Sequence, residues 1–417
     1  MTAHRDNREA AGAVLSRLPP DAEAVLECAT VFRRPLYVVG GVVRDALLAK
    51  EARTQPTVRD LDLVTEGRAQ ALGEALQKAL GGDLTCHQAF MTCTLHLGGL
   101  TVDIATAREE TYPSPGSLPQ VRRSTLERDL FRRDFTLNAL AVRVKSPALI
   151  DLFGGLEDLE RKQLRVLHPD SFADDPTRML RGGRLAGRLG LTLHPDTAQA
   201  LSAALAAGSA YTVSASRLKH ELMLTLAEQQ VAPALELMTR YGVLAEMFGF
   251  HLDQPRLAQL ERLDARRRER TVPDESYLLL LLTSVHEDGL AEHAAAFGWP
   301  KRLLAKRQVL VSAERGELRI ENEDVLDPAL GAALVALDPT LEMSLERLKR
   351  LAERPKLRGR DVLDLGLPSG PEVGKVLTDV AKARADGRVD SFQAELDLAK
   401  TLVERRLADL TRDQETS

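Results

Sequence analysis

The stretch Leu36–Thr65, LYVVGGVVRDALLAKEARTQPTVRDLDLVT, constrains the fold more than any other part of the chain. Leu36–Val39 is a short apolar run of β-formers and reads as a buried strand. It ends on Gly40 and Gly41, after which VVRDALLAK carries helical spacing. A strand that turns on glycines into a helix presents backbone N–H groups and a positive helix end, a natural seat for phosphate. Arg44 falls on the first turn of that helix. Val58–Val64 reads as a second strand carrying Asp60 and Asp62. Residues i and i+2 of a strand share a face, so the two carboxylates converge opposite Leu61 and Leu63. Two hard oxygen ligands beside a phosphate cradle suit Mg²⁺ bridging protein and nucleotide.

At 417 residues the chain exceeds a single core, and two to four domains are expected. Apolar content of 44% and charged content of 28% describe a soluble globular protein. No stretch approaches the ~18 uninterrupted apolar residues of a membrane span, and MTAHRDNREA lacks a signal-peptide core. Cys28, Cys86 and Cys93 have no C-x-x-C spacing, which argues against a disulfide framework or a zinc site. These features predict a cytoplasmic protein without a membrane partner. With a net charge of −5, a nucleic acid partner would have to meet a local basic face.

Along the chain, residues 7–32 predict two short helices parted by Pro19 and Pro20, and Ala69–Leu80 a helix ended by Gly81 and Gly82. Thr92–Leu97 and Leu100–Ala105 predict a hairpin around Gly98-Gly99. Asp103 on its second strand is either a third carboxylate near the metals or a buried acid paired with an arginine. Arg108–Arg123, with three prolines and a glycine, reads as a long loop, and loops of that length are often functional. In LERDLFRRDFTLNALAV, Arg132, Arg133 and Asp134 precede a helix-like run. A guanidinium offers triphosphate oxygens a planar fork of donors, and a neighbouring carboxylate can accept a ribose hydroxyl.

In ADDPTRMLRGGRLAGRLG, Asp174 suits an N-cap and Pro176 the first helical turn. Arg178, Arg181 and Arg184 then recur every three residues on one helix face. Like charges so placed repel unless an anion is present, so the face either tracks RNA phosphate or reads a base. Asp175 can accept from an exocyclic amino group, and Arg178 can donate to the ring nitrogen beside it. Cytosine and adenine share that edge pattern, whereas uracil and guanine present the reverse. Buried unpaired polar groups cost ~1–3 kcal/mol each, enough for one Asp–Arg pair to select C and A.

GGVVRD and DLDLVT resemble the head of class II tRNA nucleotidyltransferases and bacterial poly(A) polymerases, which is polymerase β-like. RRDFT-x-NA matches that family's second motif, DLFGGLEDLERKQLR its third, and ADDPTR its E-D-x-x-R motif with Asp174 replacing the glutamate. The resemblance implies an α+β fold: a nucleotidyltransferase head with a small mixed sheet (1–148), then an all-helical neck (149–228), body (229–335) and tail (336–417). It implies transfer of nucleotides from CTP and ATP to the tRNA 3′ end with release of pyrophosphate. Asp60 and Asp62 would be the catalytic and metal-binding acids. Gly41, Arg44, Arg133, Asp134, Asp175, Arg178, Arg181 and Arg184 would bind nucleotide, the last two orienting the reading pair or contacting the incoming nucleotide. In the family a mobile loop that helps switch nucleotide specificity stands at Arg108–Arg123. Its full length here favours addition of CCA or of A alone over CC alone.

Beyond residue 190 the pattern is helical: Asp196–Leu205, Ser216–Glu228, Val231–Tyr241 and onward. SRLKHELMLTL resembles the family's fifth motif, and an i, i+4 ion pair between Arg217 and Glu221 accounts for those residues structurally. Basic runs at Arg266–Arg268, Lys301–Arg307 and Arg347–Arg360 suggest an RNA track. Leu357–Gly374 places two helices around a Gly/Pro-rich turn and resembles the family's tRNA-holding tail. A poly(A) polymerase and a catalytically silent RNA-binding module stay open as alternatives, and the sequence leaves oligomeric state undefined.

Overall fold

Burial of the strands Leu36–Val39 and Asp60–Thr65, the first buried throughout, sets the architecture. In this computed structural model, residues 2–52, 54, 58–113, 116, 117, 119–318, 327–352 and 357–415 are described. Residues 114, 115 and 118 of the Arg108–Arg123 tract and 353–356 of the third basic run lie outside the described residues. The chain folds as two units, Met1–His251 and Leu252–Ser417. Among the described residues no helix is long and apolar enough to cross a membrane.

In the first unit, helices α1 (Thr2–Leu15) and α2 (Pro20–Ala29) lead into β1 (Leu36–Val39), α3 (Gly41–Ala52), β2 (Asp60–Thr65) and α4 (Ala69–Leu80). Strands β3 (Asp83–His87), β4 (Thr92–Leu97) and β5 (Leu100–Thr106) follow, with the expected hairpin between the last two. A separate ribbon pairs β6 (Arg108–Thr111) with β7 (Gln120–Arg123), so the tract expected as a loop is largely strand. Next come α5 (Leu126–Phe131), β8 (Ala141–Arg143) and β9 (Ala148–Ile150). The helix-like run expected after Asp134 is one 3₁₀ turn, Thr136–Asn138, followed by β8. The sheet order is β3-β4-β5-β2-β1-β8-β9, mixed because β2 and β5 run parallel while the other neighbours are antiparallel.

One sheet face buries Val38, Leu61, Leu63, Val102 and Ile104 against α1 to α4. Each fully buried leucine contributes ~1.5–3 kcal/mol, and together they lock the register of β2. That register turns Asp60 and Asp62 to the opposite face, and a slip of one residue would drive both acids into the core. The opposite face carries a smaller cluster of Tyr37, Val39, Val64, Leu126 and Leu130. A disulfide joins Cys86 and Cys93, which face each other across β3 and β4. This bond corrects the inference from cysteine spacing against disulfides: residues seven apart meet because β3 and β4 form an antiparallel pair.

The unit continues with α6 (Gly155–Glu160), β10 (Gln163–Leu164), α7 (Ser171–Asp174), α8 (Thr177–Leu189) and β11 (Thr192–Leu193). Helices α9 (Pro195–Ala206), α10 (Ala215–Leu226), α11 (Ala232–Arg240) and α12 (Val243–Phe248) complete it. A Cβ on Gly187 would lie 2.6 Å from the Ala234 nitrogen, so glycines on α8 let α11 pack against its back. The arginine face is thereby turned the other way.

The second unit is helical among its described residues: α13 (Gln254–Glu269), α14 (Asp274–Leu282), α15 (Glu287–Phe297), α16 (Lys301–Glu314), α17 (Pro328–Leu337), α18 (Leu341–Ala352), α19 (Gly359–Asp364), α20 (Pro371–Ala385) and α21 (Phe392–Glu415). Leu278–Leu282 of α14 is buried against α16 and α17. Several residues of its first two basic runs are paired within the fold. Arg266 pairs with Glu342 at 2.7 Å and Arg267 with Asp274 at 2.8 Å. Lys306 pairs with Glu275 and Asp327, and Arg307, buried, donates to the carbonyls of Leu282 and Val285. Arg268, Lys301 and Arg302 remain exposed.

Candidate active site

A cleft of about 670 Å³ opens on the sheet face opposite the main core. Gly41, Arg44, Asp62, Arg133, Asp134, Asp175, Arg178 and Arg181 line it, together with Asp103, Asn138, Arg188 and Arg217. Of the residues expected at the site, Asp60 and Arg184 are not on its lining. Asp60 is exposed at the start of β2 on the same strand face as Asp62. Arg184 stands behind the lining on α8.

The acid wall comes from two parallel strands. Asp62 and Asp103 are register partners, and Thr94 donates to Asp103 at 2.6 Å. Burial pushes the Asp62 carboxyl above its usual range. Arg133 and Arg44 pull against that shift, while the charges of Asp103 and Asp60 add to it. Asp103 therefore stands with the acid pair and not with an arginine. No group of three or more acidic, histidine or cysteine side chains forms a metal cage among the described residues. The donor set instead fits a cation such as Mg²⁺, which takes one or two carboxylates and completes its shell with waters and substrate phosphates. Gly40, with φ of +77°, turns the chain beside these acids. A Cβ there would lie 3.2 Å from Asp62 Oδ2 and 3.1 Å from Arg133 Nη1, so the turn, the acid and the guanidinium meet at one point.

From this point a hydrogen-bonded chain runs to α8. Buried Arg44 donates through Nε to Asp45 and through Nη1 to Asn138 Oδ1. Asn138 Nδ2 donates to Asp134 Oδ1 at 3.0 Å, and Arg181 Nη1 approaches Asp134 Oδ2 at 3.5 Å. Burial opposes the charge of Asp134, but Arg181, Asn138, Arg178 and the Phe135 N–H outweigh it and hold the carboxyl below its usual range. Arg181 also donates to Glu221 at 2.9 Å, and Arg184 donates to the other oxygen of Glu221 at 3.4 Å. Arg184 and Arg188 share Glu228, each at 3.5 Å. The repulsion expected along the α8 stripe is thus relieved by the protein's own acids.

Two local expectations give way here. Arg217 and Glu221 do not pair with each other: Arg217 donates to Asp175 Oδ1 at 2.9 Å and to the Gly116 carbonyl at 3.0 Å. Asp174 ends α7, and it is Asp175 that accepts from the Thr177 N–H at the start of α8. Asp175 and Arg178 do not bond to each other either. Arg178, buried, donates to Ser171 Oγ at 2.7 Å and to the Arg132 carbonyl at 2.8 Å. Arg132 is itself bound by Asp129 and Glu110, which anchors the ribbon beside the cleft. Asn138 and Arg188 escaped the sequence reading, although RRDFT-x-NA already contained the first and the α8 arginine period points to the second.

Sheet, acid pair and arginine helix together define a nucleotidyltransferase. Residues 36–165 match the family model of the poly A polymerase head domain. The chain is 36% identical to a CC-adding tRNA nucleotidyltransferase of Deinococcus radiodurans, over 86% of this chain and 87% of that protein. It is 35% identical to an A-adding tRNA nucleotidyltransferase of Aquifex aeolicus over 83% of this chain, but spans only 44% of that protein's length. The structure of the Thermotoga maritima CCA-adding enzyme complexed with tRNA aligns over 94% of this chain and 98% of that one, with a TM-score of 0.68 and 26% identity. The chain belongs to the tRNA nucleotidyltransferase family.

Proposed function

We propose that this chain adds nucleotides from CTP and ATP to the 3′ end of tRNA in the cytoplasm, building CCA or part of it. The observation that carries the reading is that Asp62 of β2, the Gly40–Gly41 turn and Arg178 and Arg181 of α8 line one cleft. Asp60 and Asp62 hold Mg²⁺, with Asp103 as a third acid beside them. Bound Mg²⁺ lowers the pKa of the primer hydroxyl and neutralises charge on the triphosphate. Gly41, Arg44 and Arg133 cradle phosphates. Asp134 accepts from the ribose. The primer 3′-oxygen attacks the α-phosphorus, the α–β phosphoanhydride bond breaks, pyrophosphate leaves, and the hydroxyl proton passes to water.

Asp175 and Arg178 read the base. The bonds from Arg178 to Ser171 and Arg132 hold its guanidinium in one plane, so a base edge meets a preset donor. Arg181 and Arg184 orient the pair, and residues 1–148, 149–228, 229–335 and 336–417 serve as head, neck, body and tail. The full-length β6–β7 tract supports addition of CCA or A. The Deinococcus relative makes CC-only addition the second reading. Primer tRNAs lacking CCA, ending in C, or ending in CC, each with CTP or ATP alone, test both. Incorporation of A onto the CC primer is expected, and C addition alone would select the second reading. The double variant Asp175→Ala, Arg178→Ala is expected to lose ~10–100-fold of its preference over UTP and GTP, and full retention would remove the pair from base reading.

A further inference from the structure

Arg188 has no role in the scheme above, yet it lines the cleft at the far end of α8. Its side chain is 39% exposed, and its one close partner among the described residues is Glu228, at 3.5 Å and shared with Arg184. The cation Arg44 stands nearby, already engaged by Asp45 and Asn138. Burial, then the charges of Arg44 and Arg184, hold the Arg188 guanidinium below its usual range despite Glu228 and Asp45. Arg184 Nε is buried without a partner. Arg44 and Arg188 both line the cleft, and the long, shared contact of Arg188 with Glu228 leaves its guanidinium able to join Arg44 on a multiply charged anion. Arg178 and Arg188 are ten residues apart on one helix, roughly 15 Å. A base held near Arg178 thus leaves room for an extended chain of phosphates to reach Arg188.

We propose that Arg188, beside Arg44, binds the terminal phosphates of the incoming nucleotide and then the departing pyrophosphate. This rests on the nucleotide-transfer reading and assigns the far end of its site to a polyphosphate ligand. Titration calorimetry on the full chain with inorganic pyrophosphate, CTP and CMP separates the parts. In Arg188→Gln, affinity for pyrophosphate and CTP is expected to fall at least about tenfold, as for loss of one charged hydrogen bond, with CMP unchanged. Arg188→Lys recovers part of the loss. In turnover, KM for CTP and for pyrophosphate in the reverse reaction rises while kcat holds.

Equal weakening of CMP and CTP, or unchanged pyrophosphate binding, would overturn the assignment. So would a rise in KM for tRNA alone, which would place Arg188 on the primer backbone. Asp62→Ala, assayed alongside, reports on the broader reading: undiminished incorporation by that variant would defeat it, whatever Arg188 does. Weaker pyrophosphate binding by Arg188→Gln would uphold the subsite even in that case.

Discussion

The two walls of the cleft handle charge in opposite ways. On the sheet, Asp62 faces its register partner Asp103, and burial together with like charge pushes its carboxyl up. On α8, Arg181, Arg184 and Arg188 each meet a glutamate, either Glu221 on α10 or Glu228 just beyond its end. Burial opposes the charge of Arg181, but Asp134 and Glu221 hold it above its usual value. The acid wall is built under electrostatic stress, as catalytic sites often are. On the arginine wall Glu221 holds Arg181 and Arg184 in place, while Arg188 has only the long contact to Glu228 that it shares with Arg184.

The sharpest way to break this contrast is to remove the stressed acids. Asp60→Ala or Asp62→Ala is expected to cut nucleotide incorporation by on the order of 10³-fold or more, while tRNA affinity in a filter-binding assay stays near normal. Equal loss of tRNA binding would make the acids structural. Next in size is the arginine wall. Glu221 is buried and bonded to two arginines, so Glu221→Gln leaves Arg181 with only Asp134 and Arg184 with only Glu228, each at 3.5 Å. About 2 kcal/mol of stability should go, discounted from the cost of breaking a fully buried pair because Arg181 is partly exposed. That corresponds to a melting temperature lower by roughly 4–8 °C for a unit of this size. An unchanged midpoint would mean that α8 is not held by its acids.

The smallest effect has the opposite sign. Because the Asp62 carboxyl is raised in the fold, its ionised form opposes folding. Stability is then full below the ordinary aspartate value of about 3.9 and declines as pH climbs through the raised one. Asp62→Asn should therefore raise the melting temperature at pH 7 by roughly 2–4 °C, the response to ~1 kcal/mol, with no gain near pH 4. A variant less stable than the parent at neutral pH would show that the acid wall carries no stress.

How far these walls were legible in advance differs by residue. The strand Leu36–Val39, the helix Ala69–Leu80 and the Thr92–Thr106 hairpin follow from local apolar period and glycine punctuation. The shared face of Asp60 and Asp62 follows from strand period alone. The β6–β7 ribbon is not legible as strand, because REET and QVRR carry almost no apolar alternation. Arg108, Arg132 and Glu110 anchor it instead. Arg217 and Glu221 were misassigned because an i, i+4 pair contributes only ~0.2–0.5 kcal/mol. Partners brought in by α7 and α8 outcompete it. Asp174 and Asp175 are adjacent carboxylates, and one-residue uncertainty at a helix start cannot be resolved from letters.

By itself the sequence determined the strand–glycine–helix turn, the common face of the two acids and the arginine period of α8. Each depends only on backbone geometry repeating along a few residues. Tertiary structure decided which acids neutralise which arginines, that Asp103 joins Asp62, and that Arg178 is held by Ser171 and the Arg132 carbonyl. Those pairings join residues far apart in the chain. Charge acts through space, so only the packing of sheet against helices selects them.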